Sequence, residues 1–191
     1  IARLSPDVYD VSKIRWYDHH ECHIASTVIP SGFDECNYYV ADGAGGQSAG
    51  RIGSWDGERF NQAGYMHNAG TLGGFYSHIT TALGFMKHSE EGKTMGLACY
   101  GKVDYNLIPM KFREDETGFR YPFTNSYMEL VDNLLKDEDY QKDLKDFHNA
   151  GEGVLPSQTI LNVAATGQAI FEELIIHNYK KKIENLNFCI Y

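Results

Sequence analysis

The chain has 191 residues, 42% of them hydrophobic and 23% charged, which suits one core rather than two independent domains. No apolar run approaches the roughly 20 residues of a membrane-spanning helix, and 17 basic against 26 acidic residues, a net charge of -9, argue against a surface dedicated to nucleic acid. The four cysteines, Cys22, Cys36, Cys99 and Cys189, show no C-x-x-C spacing and nothing resembles a signal peptide, so neither a zinc ribbon nor a disulfide scaffold is indicated and a cytoplasmic protein is expected.

In chain order, residues 17–27 read as a helix, with Asp18 as cap, Glu21 three residues on as in a capping box, and Pro30 with Gly32 closing it. Residues 37–42 read as a buried strand with Asp42 at its tip, running into a glycine loop, Gly43-Ala44-Gly45-Gly46. Residues 51–55 and 58–62 flank Asp56-Gly57, a pair suited to a tight hairpin turn, so three antiparallel strands are expected. Residues 71–83 carry Leu72, Phe75, Tyr76, Ile79 and Leu83 at helical spacing, and Gly84 ends that helix. Residues 90–101 lack a clean period and read as a functional loop leading into a short helix. Residues 102–153 turn charged and read as a peripheral insertion with one helix, whose apolar stripe is Leu130, Val131, Leu134 and Leu135. A long helix follows over 157–182, then an apolar strand over 186–191. The missing initiator Met and the terminal apolar strand lead to the expectation that the natural protein extends in both directions.

His19 and His23 stand four apart on the first helix, near enough for both imidazoles to reach one metal ion. The H-E-x-x-H pattern of zinc proteases is not met. The alternative is a pair of hydrogen-bonded histidines on a half-exposed helix. Asp42 could complete a two-histidine, one-carboxylate face that leaves positions open for substrate, a set suited to iron, manganese or zinc; otherwise it caps the glycine turn. Consecutive N–H groups around Gly43 and Gly45 can cradle a phosphate, although the spacing is neither the Rossmann nor the Walker one. In Glu91-Gly92-Lys93-Thr94 a lysine beside a glycine and a hydroxyl can steady a phosphate, while Glu91 can accept from a ribose or an attacking hydroxyl. Here the alternative is a solvated turn.

The order of these pieces resembles the NodU/CmcH-type carbamoyltransferases, whose pattern is a His-His-x-x-His-Ala helix, a strand ending in Asp-Gly-x-Gly, and then Glu-Gly-Lys-x-Met-Gly-Leu-Ala-x-Tyr-Gly. The corresponding residues are His19-His20-Glu21-Cys22-His23, Asp42-Gly43-Ala44-Gly45 and the unbroken run 91–101. Ser77, Leu83-Gly84-Phe85 and Ala164-Ala165-Thr166-Gly167-Gln168 extend the match. The resemblance implies a ribonuclease-H-like (actin/Hsp70/sugar-kinase type) α/β fold, a mixed sheet flanked by helices and truncated at both ends. Residues 1–34 would then be a linker and the metal-ligand helix of a preceding subdomain. Residues 35–191 would be the ribonuclease-H-like subdomain, with the insertion at about 102–153.

The resemblance also implies an O-carbamoyltransferase. Carbamoyl phosphate and ATP give carbamoyl-adenylate in a YrdC-like C-terminal domain of the same full-length chain, and the carbamoyl group then passes to a hydroxylated small-molecule acceptor. A divalent metal, iron before manganese or zinc, would be held by His19, His23 and Asp42. Gly43, Gly45, Glu91, Gly92, Lys93 and Thr94 would face ATP or carbamoyl-adenylate. Neither a nucleic-acid nor a membrane partner is implied. Gly46 departs from the pattern, in which that position is often acidic. An earlier Gly-Ile-Asn segment with a candidate base, a later aspartate ligand and a Gly-Gly-x-x-x-Asn motif would lie outside these 191 residues, so the catalytic base is unassigned and the fragment alone is expected to be inactive. Two alternatives remain open at this level: tRNA threonylcarbamoyl transfer, which shares H-x-x-x-H on this fold, and a non-catalytic nucleotide- or sugar-binding module.

Overall fold

Side chains alternate between the two faces of a strand, and the run Tyr38-Tyr39-Val40-Ala41 is apolar on both, which calls for cover on each side. The structure, a computed structural model, describes residues 11–68, 71–114, 118–122, 124–151 and 153–184. β1 (Cys36–Gly45), β2 (Ser48–Trp55) and β3 (Phe60–His67) form the expected three-stranded antiparallel sheet, with β2 in the middle. On one face Tyr38 packs with Ile24 and Val28 of α1 (His19–Ser31), a small cluster of its own. On the other, Tyr39, Ala41, Ile52 and Met66 meet the main core, to which α2 (Leu72–Ala82) gives Leu72, Phe75 and Ile79 and α6 (Gln158–Glu184) gives Ile160, Val163, Ala164 and Ile170.

The glycine segment is not a loop after the strand but a bulge within it. Ala41 pairs with Gly50 and Gly45 pairs with Ser48, so residues 42–44 oppose Ala49 alone. Such an excess on one strand bends the backbone and re-aims its side chains. The reversal comes later, at Gly46 and Gln47, with Gly46 at φ +69°. The second hairpin has a four-residue connection in place of a two-residue turn. Asp56 Oδ1 accepts from the N–H groups of Glu58 and Arg59 at 3.0 and 2.8 Å, a side-chain-closed turn that delays β3 to Phe60.

α1 runs past Pro30 to Ser31 and stops at Gly32, whose φ is +74°. In the last turn a proline removes only a hydrogen bond whose carbonyl can turn to water. α3 (Glu91–Ala98) starts at Glu91 itself, where a loop is expected from the mixed composition. Thr94 is its buried anchor, donating to Thr80 Oγ1 of α2 at 2.9 Å.

Residues 102–153 differ most from expectation. They hold a short ribbon, β4 (Phe112–Glu114) with β5 (Arg120–Pro122), and two helices, α4 (Thr124–Lys136) and α5 (Glu138–Asn149). The stripe Leu130, Val131, Leu134 and Leu135 does face inward. The region is not peripheral, because Ile108, Phe119, Tyr127, Tyr140 and Leu144 all belong to the main core. The Tyr140 hydroxyl donates to the Ala82 carbonyl at 3.0 Å.

α6 is the one described helix long and apolar enough to cross a bilayer, yet half of that stretch is buried inside the fold. The strand expected over 186–191 lies outside the described residues. Among those residues the fold is a mixed α/β arrangement with two small antiparallel sheets and six α-helices.

Candidate metal centre

Asp18 starts α1 by accepting from the N–H groups of His20 and Glu21 at 2.9 and 3.1 Å. Glu21 does not complete a capping box. It turns instead to Arg51, which lies 3.6 Å away and pairs with Asp18 at 2.7 Å. His19 and His23 consequently occupy one face at the start of the helix. Across from them the bulge presents Asp42, with Oδ2 2.7 Å from His19 Nε2 and 3.3 Å from His23 Nε2. The two Nε2 atoms are 3.1 Å apart. Among the described residues this is the one grouping of three such side chains whose ligand atoms all lie within 4.8 Å of one another.

Asp42 is fixed from several sides. Its Oδ1 accepts from the Gly43 N–H at 2.6 Å, and its backbone carbonyl accepts from Thr71 Oγ1 at 3.0 Å. The same Thr71 oxygen caps α2 by accepting from the Gly74 N–H at 2.9 Å. Gly73 lets the first turn of α2 lie on the Asp42–Gly43 peptide, since a Cβ there would stand 2.6 Å from Gly43 N. Gly45 plays the matching part beneath the histidines, where a Cβ would stand 2.1 Å from His19 Cδ2. Partial burial works against the Asp42 charge, but the hydrogen bonds from His19 and Gly43 and the two neighbouring imidazoles outweigh it and hold the carboxyl below its usual range.

Two ligand atoms each about 2.1 Å from a shared ion stand about 3.0 Å apart at right angles and about 3.4 Å apart at a tetrahedral angle. The observed separations of 2.7, 3.1 and 3.3 Å fall close to that range. The donor set, two imidazoles and a carboxylate, suits a first-row divalent ion with positions left open. The side chains of His19 and His23 are 46% and 52% exposed, so a second molecule can reach the same point. The residues present therefore fit a divalent metal.

The other predicted site residues divide. Gly43 lies in the bulge at this centre and Gly45 in the pair that closes it. Glu91 sits beneath α2, where Oε1 accepts from Ser77 Oγ at 2.7 Å and the His88 N–H at 2.6 Å. Burial raises its pKa, the hydrogen bonds from Ser77 and the backbone lower it, and the net is downward. Gly92 faces open space. Lys93 is exposed, pairs with Glu90 and stands 5.5 Å over the Phe85 ring. Thr94 points inward and its hydroxyl is committed to Thr80. α2 links the two groups: its first turn touches Asp42, and Ser77, four residues beyond Gly73, lies about 6 Å further along the axis.

Three residues to which the sequence reading gave no role shape this region: His20, Thr71 and Ser77. A threonine before the apolar-periodic run is an N-cap signal and could have been read. The Ser77 to Glu91 contact joins two helices and has no local pattern.

The chain is similar to several known proteins. It is 34% identical over 122 residues to the uncharacterized protein sll1178 of Synechocystis sp., covering 59% of this chain and 20% of that one. To the uncharacterized protein MJ1058 of Methanocaldococcus jannaschii it is 29% identical over 123 residues, 55% of this chain and 20% of the relative. To the nodulation protein NolO of Bradyrhizobium diazoefficiens it is 26% identical over 166 residues, 85% of this chain and 28% of the relative. The chain thus spans 20 to 28% of the length of these curated relatives. The family model described as the carbamoyltransferase N-terminus matches residues 4–190, nearly the whole sequence and all three motifs, and the chain belongs to that family.

Proposed function

We propose that this chain is the metal-carrying, nucleotide-facing part of an ATP-dependent O-carbamoyltransferase. The full protein would move a carbamoyl group from carbamoyl-adenylate, made from ATP and carbamoyl phosphate, to the hydroxyl of a small-molecule acceptor. The observation that carries the reading is the convergence of His19, His23 and Asp42 within hydrogen-bonding reach of one another in a chain of the carbamoyltransferase N-terminus family. A three-stranded antiparallel meander followed by a helix on one face supports the ribonuclease-H-like assignment.

His19, His23 and Asp42 would hold the divalent ion, iron before manganese or zinc. Bound there, it supplies positive charge beside the phosphate and the reacting carbonyl oxygen. The chain's own residues do the rest. Asp42, kept ionised by its hydrogen bonds, supplies the anionic ligand at neutral pH. The space beside Gly43 is open and leaves room for an anionic group next to Asp42, whereas Gly45, covered by the His19 and His20 rings, offers none. Glu91, oriented by Ser77 and His88, offers Oε2 toward a hydroxyl, while Gly92 and Lys93 on the open side of α3 face the nucleotide. The acceptor hydroxyl attacks the carbamoyl carbon, the bond to the adenylate phosphate breaks, AMP leaves, and the hydroxyl proton passes to a base not assigned among these residues.

The test uses the full chain with ATP, carbamoyl phosphate and a panel of hydroxylated acceptors, alongside elemental analysis of wild type, His19→Ala and His23→Ala. The expected result is about one ion per chain in the wild type and near none in either variant, with AMP and carbamoylated acceptor formed only by the wild type. Full metal content in both variants, or unchanged turnover without metal, would sink the reading.

A further inference from the structure

His20 lies between the two proposed ligands and takes no part in the chemistry above, yet it is the best buried of the three histidines, with no exposed surface. Its Nε2 lies 2.8 Å from the Ser48 carbonyl oxygen. A carbonyl only accepts, so this nitrogen carries the proton and donates, which fixes the tautomer. Nδ1 is buried with no hydrogen-bond partner. An apolar side chain would fill the same space without stranding a ring nitrogen, so packing alone is a poor account of a histidine here.

Its neighbours give a better one. Ser48 pairs with Gly45 across the hairpin end that follows the bulge. A Cβ on Gly45 would meet both the His19 ring at 2.1 Å and His20 Cε1 at 2.8 Å, so both imidazoles lie against that one residue. The His20 ring packs edge-on to His19, with centroids 5.2 Å apart. The bond from His20 to Ser48 therefore ties the first turn of α1, which carries His19, to the hairpin whose other strand carries Asp42.

We propose that His20 is the positioning residue of this centre: its Nε2–H bond to the Ser48 carbonyl sets the separation between the His19/His23 face of α1 and Asp42. The inference rests on the metal reading above but concerns a residue outside the ligand set. Outer residues that orient metal ligands change affinity while the ligands themselves stay in place.

Two variants of the full chain separate this role from simple packing. His20→Gln keeps an N–H donor at nearly the same reach, whereas His20→Leu keeps the bulk and removes the donor. Cobalt(II) is titrated into each and followed by its visible absorption, with melting temperature and imidazole 15N spectra recorded on the metal-free proteins. The expected result is a cobalt affinity lowered about tenfold or more in His20→Leu, largely restored in His20→Gln, with melting temperatures that do not follow the same order. If the wild type binds cobalt and His20→Leu binds it equally well, the positioning role is overturned and the metal reading stands. If the wild type binds none, the metal reading fails, and the imidazole spectra decide. Loss in His20→Leu of the His19 signature set by Asp42 supports the positioning role, and its retention overturns it.

Discussion

Gly45 has no room for a side chain, because ring carbons of the half-exposed His19 and of the buried His20 fill the space. Gly45→Ala should push the His19 ring toward solvent and press on the buried His20 ring beside it. Metal uptake should fall about tenfold or more and stability by about 1–3 kcal/mol, read by metal titration and thermal melting. At Glu91 the native carboxyl gives up its proton at a lower pH than it does in the unfolded chain. Its contribution to stability is therefore complete above the unfolded value of about 4.3 and is lost as pH falls through the lower native one. Ser77→Ala should move the Glu91 carboxyl upward in a 13C titration and narrow the stability difference between pH 6 and pH 3. At this scale the sequence was most informative where partners are near: the Asp18 cap and the four-residue histidine spacing follow from helix geometry alone. The Asp42 partnership spans 23 positions, and the strand that carries it was readable while the bulge that aims it was not. A bulge is specified by pairing on both sides and leaves little mark in the order of residues.

α3 is an element whose composition misleads. Its glycines and isolated charges hide the helical period, and its hold on the fold comes from α2 and α6 rather than from an apolar stripe. In the sequence Lys93 and Thr94 look alike as phosphate ligands, but a helix turns adjacent residues about 100° apart, which leaves one exposed and one inside. Thr94→Val keeps the shape and removes the donor to Thr80. It should cost about 1 kcal/mol in denaturant unfolding and leave nucleotide affinity in the full chain unchanged, whereas Lys93→Ala should weaken nucleotide binding and leave stability nearly untouched. The charged region after Lys102 hides its burial for a related reason. Its core residues, Ile108, Phe119, Tyr127 and Tyr140, are scattered among polar neighbours, and burial of that kind is decided by what the rest of the chain places opposite.

Across the whole molecule the two faces of the sheet are unequal. One carries the large core shared by α2, α6 and the 102–153 region, and Phe119, 1% exposed within it, should cost about 3–5 kcal/mol on truncation to Ala, measured by chemical denaturation. The other carries α1, held by the small cluster of Ile24, Val28 and Tyr38, by the bond from the buried His20 to the Ser48 carbonyl and by the Arg51 to Asp18 ion pair. A helix docked so lightly can open while the main core stays folded, since local opening free energies track the apolar contact each unit makes. Amide exchange should accordingly be faster along α1 than along α2 or α6. Half of the proposed metal centre thus rides on the lightly docked α1 and half on the sheet that backs the main core. The site is assembled only in the docked fraction of molecules, and any ligand that bridges α1 and β1 stabilises that fraction in proportion to the logarithm of its concentration over its dissociation constant once it is in excess.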